Sequence, residues 1–186
     1  MRITSWNIRG CCNALKIHLL RRRIEKEKYG IVFLQETKCS EEELKSIAEK
    51  IWKGCEMVAI DSKGATRRIG ILWIPREVNL SGFVATPFSL SIDFHILGTR
   101  IRGFFTNIYG PPREEQKLSF LDSLTFIKKT SEDKPWILRR DFNLIKNIEE
   151  KKGDIWNLNH ASVHFNDLIE TLDLRTSNGI FTWNNK

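Results

Sequence analysis

The sequence predicts a layered α/β fold, and three observations carry that prediction. Strand-like and helix-like hydrophobic periodicities alternate along the chain. Ile31-Val32-Phe33-Leu34 is an uninterrupted apolar run of strand length, the pattern of a strand buried on both faces. A series of short strand-like segments, punctuated by Gly and Pro, fills the middle of the chain. Strand–helix–strand units mixed with successive strands fit layered α/β architecture. A doubly wound nucleotide fold is not expected, since neither a GxGxxG nor a P-loop pattern is present.

Each element has its own justification. Residues 3–8 read as a short strand ending at Gly10. Residues 14–28 read as a helix, with Ile17, Leu20 and Ile24 on one face and Arg21, Arg22, Arg23 and Lys26 over much of the rest. That arginine run reads either as a solvated helix face or as a phosphate contact. Ser40-Glu41-Glu42-Glu43 has the form of a capping box, and Leu44, Ile47, Ala48 and Ile51 continue as a helical stripe. Strands are expected at 55–60, 69–74, 77–84, 89–97 and 100–108. Residues 114–129 read as a helix with Phe120, Leu121, Leu124 and Ile127 inward. A strand at 136–138 follows. Then come a helix at 160–172, with Ala161, Phe165, Leu168, Ile169 and Leu172 inward, and a last strand at 180–183. No repeat, linker or low-complexity tract interrupts this series.

The length of 186 residues predicts one domain with room for a substantial core. Apolar content of 41% and charged content of 28% argue against disorder over most of the chain. The formal net charge of +7 permits an acidic partner such as nucleic acid. Cys11, Cys12, Cys39 and Cys55 lack CxxC spacing, so reduced thiols are expected rather than a zinc site. The opening MRITSWNIRG lacks the apolar core of a secretory signal, and no apolar run reaches the about 20 residues that span a bilayer. A soluble, intracellular protein with no membrane partner is expected.

Three apolar segments end in polar residues of one kind: Trp6-Asn7, then Gln35-Glu36-Thr37-Lys38, then Asp141-Phe142-Asn143. A fourth ends in Tyr109-Gly110-Pro111-Pro112, a phenol followed by a rigid turn. Polar groups beyond neighbouring strand ends converge in the clefts of open α/β sheets. Each also has a local reading. Glu36 suits a helix cap or solvated carboxylate, Asp141 and Asn143 an Asx turn, Asn7 a loop tie and Tyr109 a boundary aromatic. Jointly they suit phosphodiester hydrolysis. A hard divalent cation takes one or two carboxylates plus substrate phosphate, which Glu36 can serve. Asn7, Asn143 and Tyr109 can donate to phosphate oxygens, and Asp141 can position or deprotonate a water.

Trp6-Asn7-Ile8-Arg9-Gly10, Leu34-Gln35-Glu36-Thr37-Lys38, Asn107-Ile108-Tyr109-Gly110-Pro111-Pro112 and Asp141-Phe142-Asn143 occur in that order. The ordered set resembles the endonuclease/exonuclease/phosphatase family. It is most similar to the endonuclease domain of plant-type non-LTR (LINE) retrotransposons, across residues 1–186 and including Gly179-Ile180-Phe181-Thr182-Trp183. The resemblance implies a four-layered α/β sandwich of deoxyribonuclease I-like type, formed by a single domain at 1–186 that is incomplete at its C-terminus. It implies Mg²⁺-dependent nicking of DNA, with Mn²⁺ as a possible substitute. A reverse transcriptase domain in the parent polyprotein, a monomeric state and a nuclear or cytoplasmic setting are likewise implied. By the matching motifs Asn7 orders the metal site, Glu36 binds the metal, and Tyr109 contacts the phosphate. Asp141 orients the water or stabilises the transition state, and Asn143 holds the phosphate. Lys38 and Arg9 are nucleic-acid contacts in the same reading.

Three departures from the family pattern qualify it. Arg139 and Arg140 stand where a Gly pair usually precedes Asp-Phe-Asn, and Arg67 and Arg68 replace a second Gly pair. Drift and adaptation to DNA both account for such changes; at 139 and 140, bulk would disturb Asp141 and any positive φ would add strain. The family's late Ser-Asp-His segment, source of its general base, does not occur, so catalysis by this chain is expected to be impaired. His18 belongs to no such motif. Asp93 and His95 share a strand face and could pair, although a half-exposed edge strand explains them better, and His160 and His164 read as helix surface. Two further readings therefore stand: a non-catalytic remnant that binds nucleic acid, and a phosphatase of the same fold acting on a small ester.

Overall fold

The computed structural model describes residues 1–10, 13–60, 69–131, 133–144 and 160–174, leaving aside the side chains of Arg140 and Asp141. The second Gly-to-Arg site at 67–68, Cys11, Cys12 and the strand expected at 180–183 lie outside the described residues. The chain divides into two compact units. The first comprises Met1–Tyr109 and Ser131–Asp141, the second Gly110–Thr130 and Phe142–Lys186.

The first unit contains two four-stranded sheets. One is built from β1 (Arg2–Asn7), β2 (Tyr29–Gln35), β3 (Glu56–Ile60) and β4 (Ile69–Trp73) in the order β1-β2-β4-β3. The other runs β5 (Val78–Thr86), β6 (Ser89–Ile96), β7 (Arg102–Tyr109), β8 (Trp136–Asp141) in sequence order. β1 and β2 are parallel, as are β7 and β8; the remaining pairs are antiparallel. The parallel pairing of β1 with β2 needs a crossover, which α1 (Ala14–Glu27) supplies. Asn13 caps α1 by accepting from the Leu15 and Lys16 amides, and left-handed Lys28 ends it.

The double-sided burial expected of β2 follows from its alternation. Val32 and Leu34 join Ile24 of α1 and Leu44, Ile47, Ala48 and Ile51 of α2 (Glu41–Ile51) in one core. Ile31 and Phe33 point the other way, into a second core with Leu90, Ile92, Phe94 and Phe105 of the other sheet. Phe33 and Phe105 stack at 4.2 Å between ring centroids, joining the sheets. The first unit is thus three layers: helices, sheet, sheet. At the start of α2 the capping box forms as the sequence predicts. Ser40 Oγ accepts from the Glu43 amide, and Glu43 Oε2 accepts from the Ser40 amide.

The second unit holds α3 (Lys117–Thr130), preceded by a 3₁₀ turn at Glu114–Gln116, and α4 (His160–Thr171). Phe142 packs between Phe120 of α3 and Phe165 of α4, at 6.1 and 4.8 Å between centroids. The expected inward residues Phe120, Leu121, Leu124 and Ile127 are buried, as are Ala161, Phe165 and Ile169.

One element differs from expectation. The strand expected at 136–138 continues through Asp141, because β7 offers a matching ladder as far as Tyr109. Arg139 and Arg140 therefore sit in extended backbone opposite Asn107 and Ile108. A positive φ is not imposed at this pair, so the strain that such a φ would bring does not arise. Asp93 and His95 do not pair. Asp93 takes Lys134 Nζ at 2.6 Å, and the His95 ring meets the Thr99 carbonyl at 2.8 Å.

Candidate active site

Asn7 and Gln35 are the last residues of β1 and β2 and stand opposite each other in register. Tyr109 and Asp141 end β7 and β8 in the same way. The two pairs of strand ends belong to different sheets but to one end of the first unit, because Gln35 crosses between them. Its Nε2 donates to Asn107 Oδ1 and to the Ile108 carbonyl, both at 2.8 Å. The carbonyl is an unambiguous acceptor, which fixes the orientation of the Gln35 amide. That in turn makes the facing Asn107 atom its oxygen, and leaves Asn107 Nδ2 buried with no hydrogen-bond partner among the described residues.

Glu36 follows directly. Its backbone is left-handed, with φ 52°, as are those of Arg9 at 44° and Lys38 at 55°. Left-handed backbone at non-glycine residues is uncommon, and such strain gathers where surrounding structure over-determines a site. Here the constraint is visible. Gly10 N donates to the Glu36 carbonyl at 2.7 Å and Ile8 N to the Gln35 carbonyl at 3.1 Å, so the two strand-end loops hold each other. Lys16 Nζ donates to the carbonyls of Ile8, Arg9 and Gly10 at 2.8, 3.1 and 3.2 Å. The ammonium of α1 thereby fixes the loop after β1.

Asn7 joins this frame to the carboxylate. Its Oδ1 accepts from the Arg9 amide at 3.2 Å, which directs Nδ2 toward Glu36 Oε1 at 2.9 Å. The Glu36 carboxylate is half-buried and oriented, while Arg9 and Lys38 are exposed cations on the flanking loops. The Lys38 stem passes beside Gly10, with Cδ 3.8 Å from where a Cβ would stand. Tyr109 is half-buried against the inter-sheet core. Asp141 is placed by its backbone register alone.

Asn143 belongs to the second unit, where its Nδ2 donates to the Gly110 carbonyl at 2.6 Å. It too is left-handed, at φ 51°. Gly110 approaches so closely that a Cβ on it would lie 2.0 Å from the Phe142 carbonyl oxygen, so only glycine fits. Asn7 and Glu36 are thus directly joined, Tyr109 and Asp141 are neighbours across a ladder, and Asn143 is tied to the turn after Tyr109.

The arrangement suits a hard cation in one respect. Mg²⁺ is commonly held by one or two carboxylates with waters and substrate phosphate completing its shell, and Glu36, oriented by Asn7, offers an oxygen donor of that type. Among the described residues no three His, Cys, Asp or Glu side chains cluster into a closed metal cage.

Gln35 and Asn107 lie within the sequence motifs, but the motifs assign them no role. The available signal was an amide ending the apolar run of β2 and an amide two residues before the end of β7. The arginine run of α1 behaves as a solvated face: Arg21 pairs with Glu25 at 2.9 Å, and Arg23 lies over the Trp6 ring at 5.8 Å.

The fold is that of the endonuclease/exonuclease/phosphatase proteins, the deoxyribonuclease I-like α/β class. The endonuclease domain of TRAS1, a telomere-specific non-LTR retrotransposon, matches with a TM-score of 0.67 and 13% identity, over 90% of this chain and 70% of that one. The mannosyl-6-phosphatase Bt3783 of Bacteroides thetaiotaomicron VPI-5482 matches with a TM-score of 0.62 and 14% identity, over 76% of this chain and 64% of that one. The human nocturnin catalytic domain gives 0.57 and 12%, over 77% and 64%. The chain therefore spans just under two thirds of the length of the last two. No family sequence model and no curated protein sequence matches it.

Proposed function

We propose that this chain is a metal-dependent phosphodiesterase domain of the endonuclease/exonuclease/phosphatase family, whose substrate is DNA. The observation that carries the proposal is the Asn7–Glu36 pair, an oriented carboxylate at strand ends on a loop frame of left-handed residues. Asn7 holds Glu36 in one orientation, and Glu36 would hold Mg²⁺ or Mn²⁺. The bound ion supplies charge stabilisation for the phosphate and the leaving oxygen. Tyr109 donates its phenolic proton to a phosphate oxygen. Asp141 orients the attacking water and receives a proton from it. Asn143, by its motif, supplies a further phosphate donor. Arg9 and Lys38 hold flanking backbone phosphates of the strand.

DNA is favoured over a small ester by the net charge of +7, by the two exposed cations beside Glu36, and by the likeness to a retrotransposon endonuclease domain. In that setting, nicking leaves a 3′ hydroxyl that primes reverse transcription by a neighbouring domain of the parent polyprotein. The likeness to a mannosyl-6-phosphatase supports a small phosphate ester as the second reading. Parallel assays on supercoiled plasmid and on sugar or inositol phosphates separate the two. Slow metal-dependent plasmid nicking is expected, in keeping with the impaired catalysis the sequence predicts, and turnover of the small esters alone would replace this reading with the second.

A further inference from the structure

His160 and His164 lie outside the proposed active site, and that chemistry makes no use of them. His160 opens α4 and His164 stands one turn on, both exposed. The i,i+4 spacing puts the two rings on one helix face. Their Nε2 atoms are 3.1 Å apart, with ring centroids at 4.3 Å and planes at 78°. Two imidazoles that meet nitrogen to nitrogen share one proton: one ring donates from Nε2 and the other accepts. When the donor ring carries its proton on Nδ1 instead, both Nε2 atoms carry a free lone pair at that distance.

The spacing suits a cation. With metal–nitrogen bonds of roughly 2.0–2.1 Å, two adjacent ligands stand about 2.9 Å apart in octahedral and about 3.4 Å apart in tetrahedral geometry. The observed 3.1 Å falls between these values, so a turn of the rings without a shift of the helix would aim both nitrogens at one ion. We propose that His160 and His164 chelate a transition-metal ion such as Ni²⁺, Cu²⁺ or Zn²⁺ across the first turn of α4. Neutral imidazole suits these ions, whereas Mg²⁺ prefers oxygen ligands. Among the described residues no third His, Cys, Asp or Glu completes the set. Binding to the neutral pair shifts one proton from Nε2 to Nδ1 and releases none. Because the chelate forms only on the helical turn, the ion stabilises α4 by mass action.

The test is titration of the full chain in excess Mg²⁺, with Ni²⁺ in a non-thiol reductant and separately with Cu²⁺ after the reductant has been removed. His160→Gln and His164→Gln are the variants, and circular dichroism verifies that both retain the fold. One ion per chain is expected, with Cu²⁺ bound more tightly than Ni²⁺. Either substitution alone should weaken binding at least tenfold, and the Cu²⁺ spin-resonance spectrum should show two equivalent imidazole nitrogens. Plasmid nicking in Mg²⁺ should be the same in both variants, which separates this site from the proposed phosphodiesterase. Absence of binding at millimolar ion, or binding that survives either substitution, would leave a proton-sharing surface pair and overturn the proposal.

Discussion

Glu36 is held where it is by a neighbour that does no chemistry of its own. Asn7 spends its oxygen on the Arg9 amide and its nitrogen on the carboxylate. Groups that orient a metal ligand typically matter 10–100-fold in affinity or activity. Asn7→Ala should therefore lower Mg²⁺-dependent nicking by about that factor, with a higher Mg²⁺ requirement visible in a metal titration. The Gln35–Asn107 bridge is a separate residue-scale device. Asn107→Leu removes the acceptor of one buried Gln35 donor bond, which should cost about 1–3 kcal/mol in urea denaturation unless a water takes its place. Cys55 gives a third expectation. Burial pushes its thiol up from 9.0 to about 11, Glu49 adds to the rise, and a backbone hydrogen bond opposes it. A raised folded-state value keeps the thiol protonated, so iodoacetamide should label it slowly at pH 8–9 and faster as pH nears 11. Unfolded chain ionises first, so this group lowers stability as pH rises above 9.0 toward 11.

At the scale of elements, the features legible in the sequence were those set by local rules. The capping box of α2 depends on two side chains three residues apart, and it forms as written. Ser40→Ala should therefore cost about 1 kcal/mol in thermal or urea unfolding. The apolar run of β2 declared its two-sided burial before any partner was known. What the sequence hid was non-local. β8 is longer than its apolar run because β7 extends it, and ladder partners in register cannot be read from residues 136–141 alone. The Gln35–Asn107 bond joins residues 72 apart in the chain. The left-handed backbone at Arg9, Glu36 and Lys38 was invisible for another reason: none is glycine, the residue that normally announces it. The arginines of β8 follow from the same lesson. Extended backbone does not require glycine, and glycine weakens a strand interior by roughly 0.5–1 kcal/mol per residue relative to alanine. The double change Arg139→Gly with Arg140→Gly should lower the urea midpoint; a raised midpoint would mean that the arginines strain β8.

At the scale of the whole molecule, charge and topology point the same way. Parallel strand pairs in both sheets of the first unit end together, which brings Asn7, Glu36, Tyr109 and the Asp141 backbone to one end of the sandwich. That convergence was legible as a recurrence of polar residues after apolar runs, although the frame that enforces it was not. A net charge of +7 should make DNA binding strongly salt-dependent, so affinity should fall between 50 and 200 mM salt. Binding of that kind without cleavage, by folded protein in Mg²⁺, would describe a non-catalytic nucleic-acid binder. The most direct measurement is nicking of supercoiled plasmid with and without Mg²⁺, beside a Glu36→Gln variant of equal stability. Nicking that requires Mg²⁺ and disappears in the variant is the expected result. No nicking by the folded chain, or nicking that Glu36→Gln leaves intact, would contradict a catalytic site built on Asn7 and Glu36.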